Sequence, residues 1–401
     1  MKKLIPEKET DKTYLLTDYG RQKLIHYADS FKAIARNIAV KDTGRENPEE
    51  MPGEESERQQ YLFLGKMHEE KSILAGNLEE MAGIMSQIAG EVFAFRPFPT
   101  GKKRRIRQLL RAEGIHIADI YYIEDDDILR IAVSMNTDRK KKRETYEVAN
   151  MLSVILNERL IPSVDSPSTV EEFVRTYFLV QEARFSILSG VARAIKETES
   201  LSGDNYSVTE TERGNVNVLL SDGMGSGEKA CADSEAVLEL MEQLLEAGYE
   251  PKVAAHLVNT SLLASEEEKN MSTLDICSLN LYTGVCEFIK LGAAASYIKR
   301  GKMVERIYDS TFPLGAFGDR EKNGFCRKLI DGDYVIMVSD GVLDVFDEEK
   351  YGEAFLNLVR DMNQENPKEM AESLLQLILF KTGGCIRDDM TILVFGIWEN
   401  K

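Results

Sequence analysis

The chain has 401 residues, enough for two or three domains, and its 43% hydrophobic and 29% charged content is typical of a folded protein. A formal net charge of −18 argues against nucleic acid as a partner, because nucleic acids attract basic surfaces. No apolar run is long enough to span a bilayer, and the N-terminus lacks the apolar core of a signal peptide. Five cysteines without a C-x-x-C pair predict buried free thiols in a reducing cytoplasm and no zinc site.

Residues 1–95 are expected to form a helical segment with a regulatory or oligomerisation role. Apolar residues recur at three- and four-residue spacing over about Asp18–Val40 and again over about Gln59–Phe93. The stretch between them is rich in proline, glycine and acidic residues, which predicts a loop. The two helices would form an antiparallel pair or one arm of a dimer.

Residues 96–168 are expected to form a small α/β unit. A helix, two strands and a second helix are predicted at Lys102–Ala112, Ile115–Ile123, Ile128–Met135 and Arg143–Leu160. The next segment, Thr169–Gln181, carries Val170, Phe173, Tyr177 and Val180 at helical spacing, so we predict an amphipathic helix there. This helix would regulate the domain that follows by shifting its packing.

A catalytic domain is predicted for residues 169–401, with the regulatory helix at its start. Its strands are predicted at Phe185–Lys196, Asn205–Glu210, Asn215–Ser221, Thr273–Leu281, Cys286–Leu291, Ser296–Arg300, Met303–Tyr308, Asp333–Val338 and Met390–Trp398. Its helices are predicted at Glu228–Ala247, Pro251–Ala264 and Met370–Lys381.

Acidic clusters recur in this domain at breaks in the strand pattern. They are Ser-Gly-Asp204-Asn205, Ser-Asp222-Gly223, Ser-Asp340-Gly341 and Arg387-Asp388-Asp389. Carboxylates at strand ends can converge in a packed sheet, and hard divalent cations bind carboxylate, carbonyl and water oxygens. The pattern therefore indicates a two-metal hydrolytic site. No nucleotide-binding loop is predicted, because Gly223–Gly227 lacks the lysine-serine ending of a Walker motif.

Each of these clusters also has a simpler explanation when taken alone. Asp-Gly is a common turn dipeptide, and Asp331-Gly332-Asp333 is predicted to be a plain hairpin turn. The four histidines are scattered away from the acidic clusters, and no cysteine begins a C-x₅-R loop. These absences disfavour histidine- and cysteine-based phosphatase mechanisms.

The clusters and the segments between them resemble a known family. Three segments are similar to the metal-binding motifs of the PPM (PP2C-type) serine/threonine phosphatases: Asp222-Gly223, Ser339-Asp340-Gly341 and Asp388-Asp389-Met390-Thr391. Three further segments resemble the SpoIIE-type sporulation branch of that family: Leu291-Gly292-Ala293, Tyr297–Gly301 and Pro313-Leu314-Gly315. The resemblance covers about Ser186 to Trp398. It implies an α+β fold built on the α/β/β/α sandwich of the PPM family.

The resemblance also implies two divalent cations, either Mn²⁺ or Mg²⁺. The residues expected to hold them are Asp204, Asp222, the carbonyl of Gly223, Asp340 and Asp388. Asp222 would bridge both cations, and Asp222 and Asp340 are the expected catalytic residues. The wider family commonly has Asp-Asn at the last motif. Asp388 is therefore the expected ligand, and Asp389 would contact the ligands without binding a cation itself.

By the same resemblance, the substrate is a phosphoserine anti-anti-sigma protein, and its dephosphorylation would activate a sporulation sigma factor. A second copy of the chain and cell-division proteins are further expected partners. A general-stress PPM phosphatase acting on a related anti-anti-sigma protein is one alternative, and a septum-associated scaffold with secondary catalysis is another. The family's membrane region is absent from this sequence, so we expect a cytoplasmic location, with membrane or septum attachment if the sequence belongs to a longer protein.

Overall fold

The computed structural model describes residues 94–400, apart from 125–127, 139–141, 164–165, 212–213, 265–270, 310, 317–323 and 347–350, and in the preceding part residues 24, 28–33, 35–36, 76 and 78–86. Those earlier residues are helical, which agrees with the two N-terminal helices predicted from the sequence. The rest of these two helices lies outside the described residues. The chain divides into two compact units, residues 1–182 and 183–401.

The first unit contains a five-stranded antiparallel sheet with strand order β1-β2-β3-β5-β4. Its elements are β1 (Ala94–Pro97), α1 (Thr100–Ala112), β2 (Ile115–Glu124), β3 (Arg130–Thr137), α2 (Thr145–Leu156), β4 (Leu160–Pro162) and β5 (Arg175–Gln181). Ile106 and Leu110 of α1 share one apolar core with Val148 and Leu152 of α2 and with the strands. Helix α2 ends before the predicted Leu160, because Asn157 adopts a left-handed conformation with φ 59°.

The regulatory helix predicted over Thr169–Gln181 is wrong. Residues 175–181 form strand β5, which pairs with β3 on one side and β4 on the other. Tyr177 and Leu179 are buried at alternate positions, whereas Phe173 of the supposed helical stripe is 63% exposed. Aromatic and β-branched residues favour strands, and this preference outweighed the three- and four-residue spacing. The segment 169–182 therefore lies in the first unit instead of opening the catalytic domain.

The second unit contains two five-stranded antiparallel sheets, with orders β13-β10-β9-β8-β7 and β12-β11-β14-β15-β6. The strands are β6 (Phe185–Ala194), β7 (Asp204–Glu210), β8 (Asn215–Asp222), β9 (Leu274–Asn280), β10 (Val285–Leu291), β11 (Ser296–Arg300), β12 (Met303–Ile307), β13 (Phe325–Lys328), β14 (Asp333–Val338) and β15 (Met390–Glu399). The helices are α3 (Gly227–Glu246), α4 (Pro251–Ala264), α5 (Asp340–Leu343), α6 (Tyr351–Asp361) and α7 (Pro367–Lys381).

The two sheets pack face to face, and helices cover their outer faces. Val218 of β8 and Leu393 of β15 lie in the core between the sheets. Their strand neighbours point the other way: Leu219 packs against α3 and α4, and Ile392 packs against α6 and α7. Because alternate side chains of a strand face opposite sides, strands buried on both faces must be apolar throughout. The expected α/β/β/α sandwich is thus confirmed.

The helices and strands predicted for this unit are present, but three elements were missed: β13, α6 and α5, which is only four residues long. Strand β13 is only four residues long and has a mixed pattern of burial. Helix α6 carries charged and polar residues between its apolar positions, and it contributes Phe355 and Val359 to the core. None of these three segments has a run of apolar residues long enough to stand out in the sequence.

A buried ion pair joins the two sheets. Lys290 of β10 is 1% exposed, and its ammonium donates hydrogen bonds to Asp275 Oδ2 at 2.6 Å, Ser296 Oγ at 2.7 Å and the Ala294 carbonyl at 2.7 Å. Asp275 is the partner of Lys290 in β9, whereas Ser296 belongs to β11 of the other sheet. All three N–H groups of the ammonium therefore have acceptors, as a buried charge requires.

We predict that Lys290→Met destabilises the second unit strongly, because it leaves the Asp275 carboxylate buried without its cation. The expected loss in the free energy of unfolding is about 3–5 kcal/mol, measured by denaturant titration. The double variant Lys290→Met/Asp275→Leu should recover most of that loss, since it removes both charges. A double variant no more stable than the single one would show that the ion pair itself stabilises the fold.

Candidate metal centre

The hairpin of β7 and β8 brings the first two acidic clusters together. Asp204 begins β7 and stands directly opposite Asp222, the last residue of β8. The backbone of Asp222 is held by the two residues that precede β9. Its N–H donates to Thr273 Oγ1 at 3.0 Å, and its carbonyl accepts from Ser272 Oγ and from the Thr273 N–H, both at 2.8 Å. Asp222 is therefore fixed by its main chain, and its carboxylate takes no part in this anchoring.

The second sheet supplies the other two clusters at the ends of β14 and β15. Asp340 follows Ser339 at the end of β14, and Asp388 lies two residues before β15. The Ser339 N–H donates to the Thr391 carbonyl at 3.0 Å, and the Thr391 N–H donates back to Ser339 Oγ at 2.9 Å. A Cβ on Gly341 would lie 2.2 Å from the Asp389 carbonyl oxygen, so only glycine permits this close approach.

The carboxylates of the four clusters lie close enough to repel one another. Burial raises the pKa of Asp222 to about 9, and repulsion from three neighbouring carboxylates adds to the effect. These neighbours are Asp204, Asp340 and Asp388. The pKa of Asp340 is also raised, by burial and then by repulsion from Asp388.

Asp204 is the most deeply buried of these residues. It is 1% exposed, and neither of its carboxylate oxygens has a hydrogen-bond partner. Burial raises its pKa to about 6, and repulsion from Asp389 and Asp340 contributes. The hydroxyls of Thr391 and Ser339 lie near enough to oppose this rise, but they do not reach hydrogen-bonding geometry. Buried carboxylate oxygens without partners are unusual, and a cation would satisfy them.

Gly223 is packed against the start of helix α3. A Cβ at this position would lie 2.0 Å from the carbonyl oxygen of Ala230, so no side chain can be accommodated. The Gly223 N–H donates to the Gly203 carbonyl at 3.2 Å, which links it to the residue before Asp204. The absence of a side chain therefore lets α3 pack directly against the loop that carries the acidic residues.

Two further residues support the cluster: Asp389, which was predicted from the sequence, and Lys196, which was not. The Asp389 carboxylate accepts the Lys196 N–H at 2.9 Å and the Gly203 N–H at 2.7 Å. It thus holds the chain on both sides of the β6–β7 loop and positions Asp204. The Lys196 ammonium lies 3.9 Å from Asp388 Oδ1. No sequence motif marks Lys196, because it is 192 positions away from Asp388 along the chain.

The Asp331-Gly332-Asp333 segment is a turn outside the acidic cluster, but it is not the predicted hairpin, because β13 and β14, which it connects, lie in different sheets. Gly332 has φ 80°, and the Asp333 N–H donates to the Ile330 carbonyl at 3.0 Å. Asp333 pairs with Arg300, and Asp331 accepts the Glu399 N–H at 2.9 Å. These carboxylates therefore stabilise strand ends outside the acidic cluster.

All five cysteines are free, as expected, but they are not all buried. Cys277 and Cys286 are buried, Cys231 is half-buried, and Cys326 and Cys385 are exposed. The prediction of buried thiols is therefore wrong for the last two. Cys385 lies in the connection between α7 and β15, and Cys326 lies in the short strand β13.

The donor set fits divalent cations. It consists of carboxylates, and the pKa values of Asp204, Asp222 and Asp340 are raised. Both carboxylate oxygens of Asp204 are buried without partners, and such oxygen donors suit Mg²⁺ and Mn²⁺. Within the described part of the chain, no three His, Cys, Asp or Glu side chains are already grouped at metal-binding distances. Bound cations would offset the mutual repulsion of the carboxylates.

Comparison with known proteins agrees with this geometry. Residues 212–397 match the family model of Stage II sporulation protein E (SpoIIE). The chain is 27% identical over 341 residues to Stage II sporulation protein E of Bacillus subtilis and 28% identical over 340 residues to that of Priestia megaterium. Each alignment covers 84% of this chain, but only 41% and 58% of the respective relative. The chain thus spans about half the length of the curated relatives that it matches.

A solved structure of the PP2C phosphatase domain and a fragment of the regulatory domain of SpoIIE from Bacillus subtilis is also similar. Its TM-score is 0.62 at 25% identity, and the match covers 86% of this chain and 96% of that one. The sandwich of the second unit is thus similar to a PP2C phosphatase domain, and phosphatases of that class are metal-dependent. The match to the SpoIIE family model falls within the second unit of this chain. In the described residues, no helix is both long and apolar enough to cross a membrane.

We predict that the metal-free protein loses stability as the pH rises from about 4 to about 9. The pKa of Asp222 is raised from 3.8 to about 9, so in this window the folded state binds more protons than the unfolded chain, and deprotonation favours unfolding. Asp222→Asn should therefore raise the melting temperature at pH 8 in the presence of chelator. Each kcal/mol gained corresponds to about 2–4 °C.

The control for this prediction is Asp331→Asn, which removes a carboxylate from a turn and keeps an oxygen that can accept the Glu399 N–H. Its melting temperature should follow that of the wild type at both pH 5 and pH 8. A melting temperature for Asp222→Asn that is unchanged or lower at pH 8 would contradict the assignment of mutual repulsion to this cluster.

Proposed function

We propose that this chain is a metal-dependent protein serine phosphatase. The observation that carries the proposal is the convergence of Asp204, Asp222, Asp340 and Asp388 from both sheets onto one edge of a SpoIIE-type sandwich. Two divalent cations, Mn²⁺ or Mg²⁺, would be held there by these carboxylates and by the carbonyl of Gly223. When bound, such a pair acts as a Lewis acid that activates water and offsets the charge of the phosphate.

The proposed role of each residue in the site follows from its position. Asp222 stands at the centre of the cluster, since it feels the charge of all three other carboxylates, and it is the proposed bridge between the cations. Asp204 and Asp340 would each bind on one side of it, and Asp388 would complete the second side. Lys196 places an ammonium group beside Asp388, where it would attract an anionic phosphoserine.

The proposed substrate is a phosphoserine anti-anti-sigma protein, whose dephosphorylation would activate a sporulation sigma factor. The relatives named Stage II sporulation protein E support this choice over a general-stress phosphatase. A scaffold function alone would not require buried carboxylates that repel one another, because such a cluster costs stability. A second copy of the chain and cell-division proteins are proposed as further partners.

We predict that the protein releases phosphate from a phosphoserine anti-anti-sigma protein when Mn²⁺ or Mg²⁺ is added, and that a chelator abolishes the release. Asp222→Ala and Asp340→Ala should both reduce the rate to the chelator background, because each removes a carboxylate that holds cations. The measurement is phosphate release with each cation and with chelator.

Asp331→Asn serves as the matched control, and its rate should equal that of the wild type. Thermal denaturation of every variant separates loss of activity from loss of fold. Near-normal turnover by folded Asp222→Ala or Asp340→Ala would eliminate the two-metal proposal. A wild-type rate that is insensitive to chelator would eliminate metal dependence altogether.

A further inference from the structure

A pocket of about 620 Å³ opens beside the acidic cluster. Its lining residues include Gly341 and Asp388, which belong to the candidate metal centre, and Arg387, Lys381 and Asp344, which do not. Pockets of this size accommodate small ligands or a few side chains. Because Gly341 and Asp388 line the pocket, it shares a wall with the metal centre, and a molecule bound at one would reach the other.

The pocket carries two cationic side chains on a strongly acidic protein. Arg387 is exposed and, among the described residues, has no hydrogen-bond or ion-pair partner. The Lys381 ammonium lies 3.9 Å from the centre of the Phe346 ring, which holds it at the pocket. Asp344 brings a negative charge, but it already takes part in an interaction of its own. Arg387 is thus available to an incoming anion.

The residues that flank a phosphoserine bound near Asp388 would lie close to this pocket. A phosphoserine that reaches Asp388 carries its neighbours along, and successive residues of an extended chain are spaced by about 3.3–3.6 Å. The residues next to the phosphoserine must therefore lie against the surfaces beside Asp388, of which this pocket is one. A guanidinium group recognises a carboxylate through two parallel hydrogen bonds.

We propose that this pocket is a specificity subsite that binds aspartate or glutamate side chains flanking the phosphoserine of the substrate, with Arg387 as the main contact and Lys381 as a second cation. The proposal rests on the proposed phosphatase function, because it concerns the substrate of the same site. Its consequence is a preference for acidic sequences around the phosphoserine.

The test uses two phosphoserine peptides that differ only in having aspartate or asparagine at the positions flanking the phosphoserine. The wild-type chain with Mn²⁺ should show a kcat/KM about three- to tenfold higher for the aspartate peptide, and added salt should reduce this ratio. Arg387→Gln should bring the ratio close to unity, mainly through KM. Arg387→Glu should make the asparagine peptide the better substrate.

Arg360→Gln is the matched control, since Arg360 is an exposed arginine of α6 that bonds Asn357 and does not line the pocket. It should keep the wild-type ratio. An unchanged ratio in Arg387→Gln, or an equal loss in Arg360→Gln, would overturn the subsite.

The same peptides separate a failed subsite from a failed function. If the wild type releases phosphate from neither peptide, the proposed activity is wrong, and fluorescence anisotropy of the labelled peptides then decides the subsite. Tighter binding of the aspartate peptide that is lost in Arg387→Gln would support it. Equal affinities of the wild type for the two peptides would refute it.

Discussion

The constraint on which this structure depends is the mutual repulsion of carboxylates concentrated at one edge of the sandwich. Asp222 is the clearest case, because burial and three neighbouring carboxylates raise its pKa to about 9. A cluster of this kind favours unfolding when it ionises, so the rest of the domain must hold it in place. The main chain does so: Ser272 and Thr273 bind the backbone of Asp222, and Ser339 and Thr391 tie the ends of β14 and β15 together.

The stability needed to hold that edge comes from the layers of the sandwich. One apolar core lies between the sheets, and two more lie under the helices that cover them. The Lys290–Asp275 pair reaches Ser296 across the gap between the sheets, which links them by hydrogen bonds as well as by packing. Gly223 and Gly341 then let the backbone approach closely where side chains would separate the acidic segments.

The proposed reaction brings a negatively charged phosphate ester to a negatively charged protein, so the site itself must supply positive charge. The net charge of −18 repels an anionic substrate at long range, and the carboxylate cluster adds to this repulsion. Bound cations would reverse the sign of the charge at the centre of the site. Lys196 beside Asp388, and Arg387 and Lys381 in the adjoining pocket, would provide positive charge around it.

The sequence by itself predicted most strands of the second unit, because strands buried on both faces are visibly apolar, and it placed the acidic clusters at the ends of those strands. The sandwich was expected from the family resemblance, and the ligand set stays a prediction. The sequence did not predict β5, because Phe173 and Tyr177 are spaced as in an amphipathic helix. Only the pairing with β3 and β4 shows that this segment is a strand. Nor did the sequence reveal Lys196 or the unpartnered oxygens of Asp204. These depend on contacts between segments far apart in the chain, and tertiary packing alone creates them.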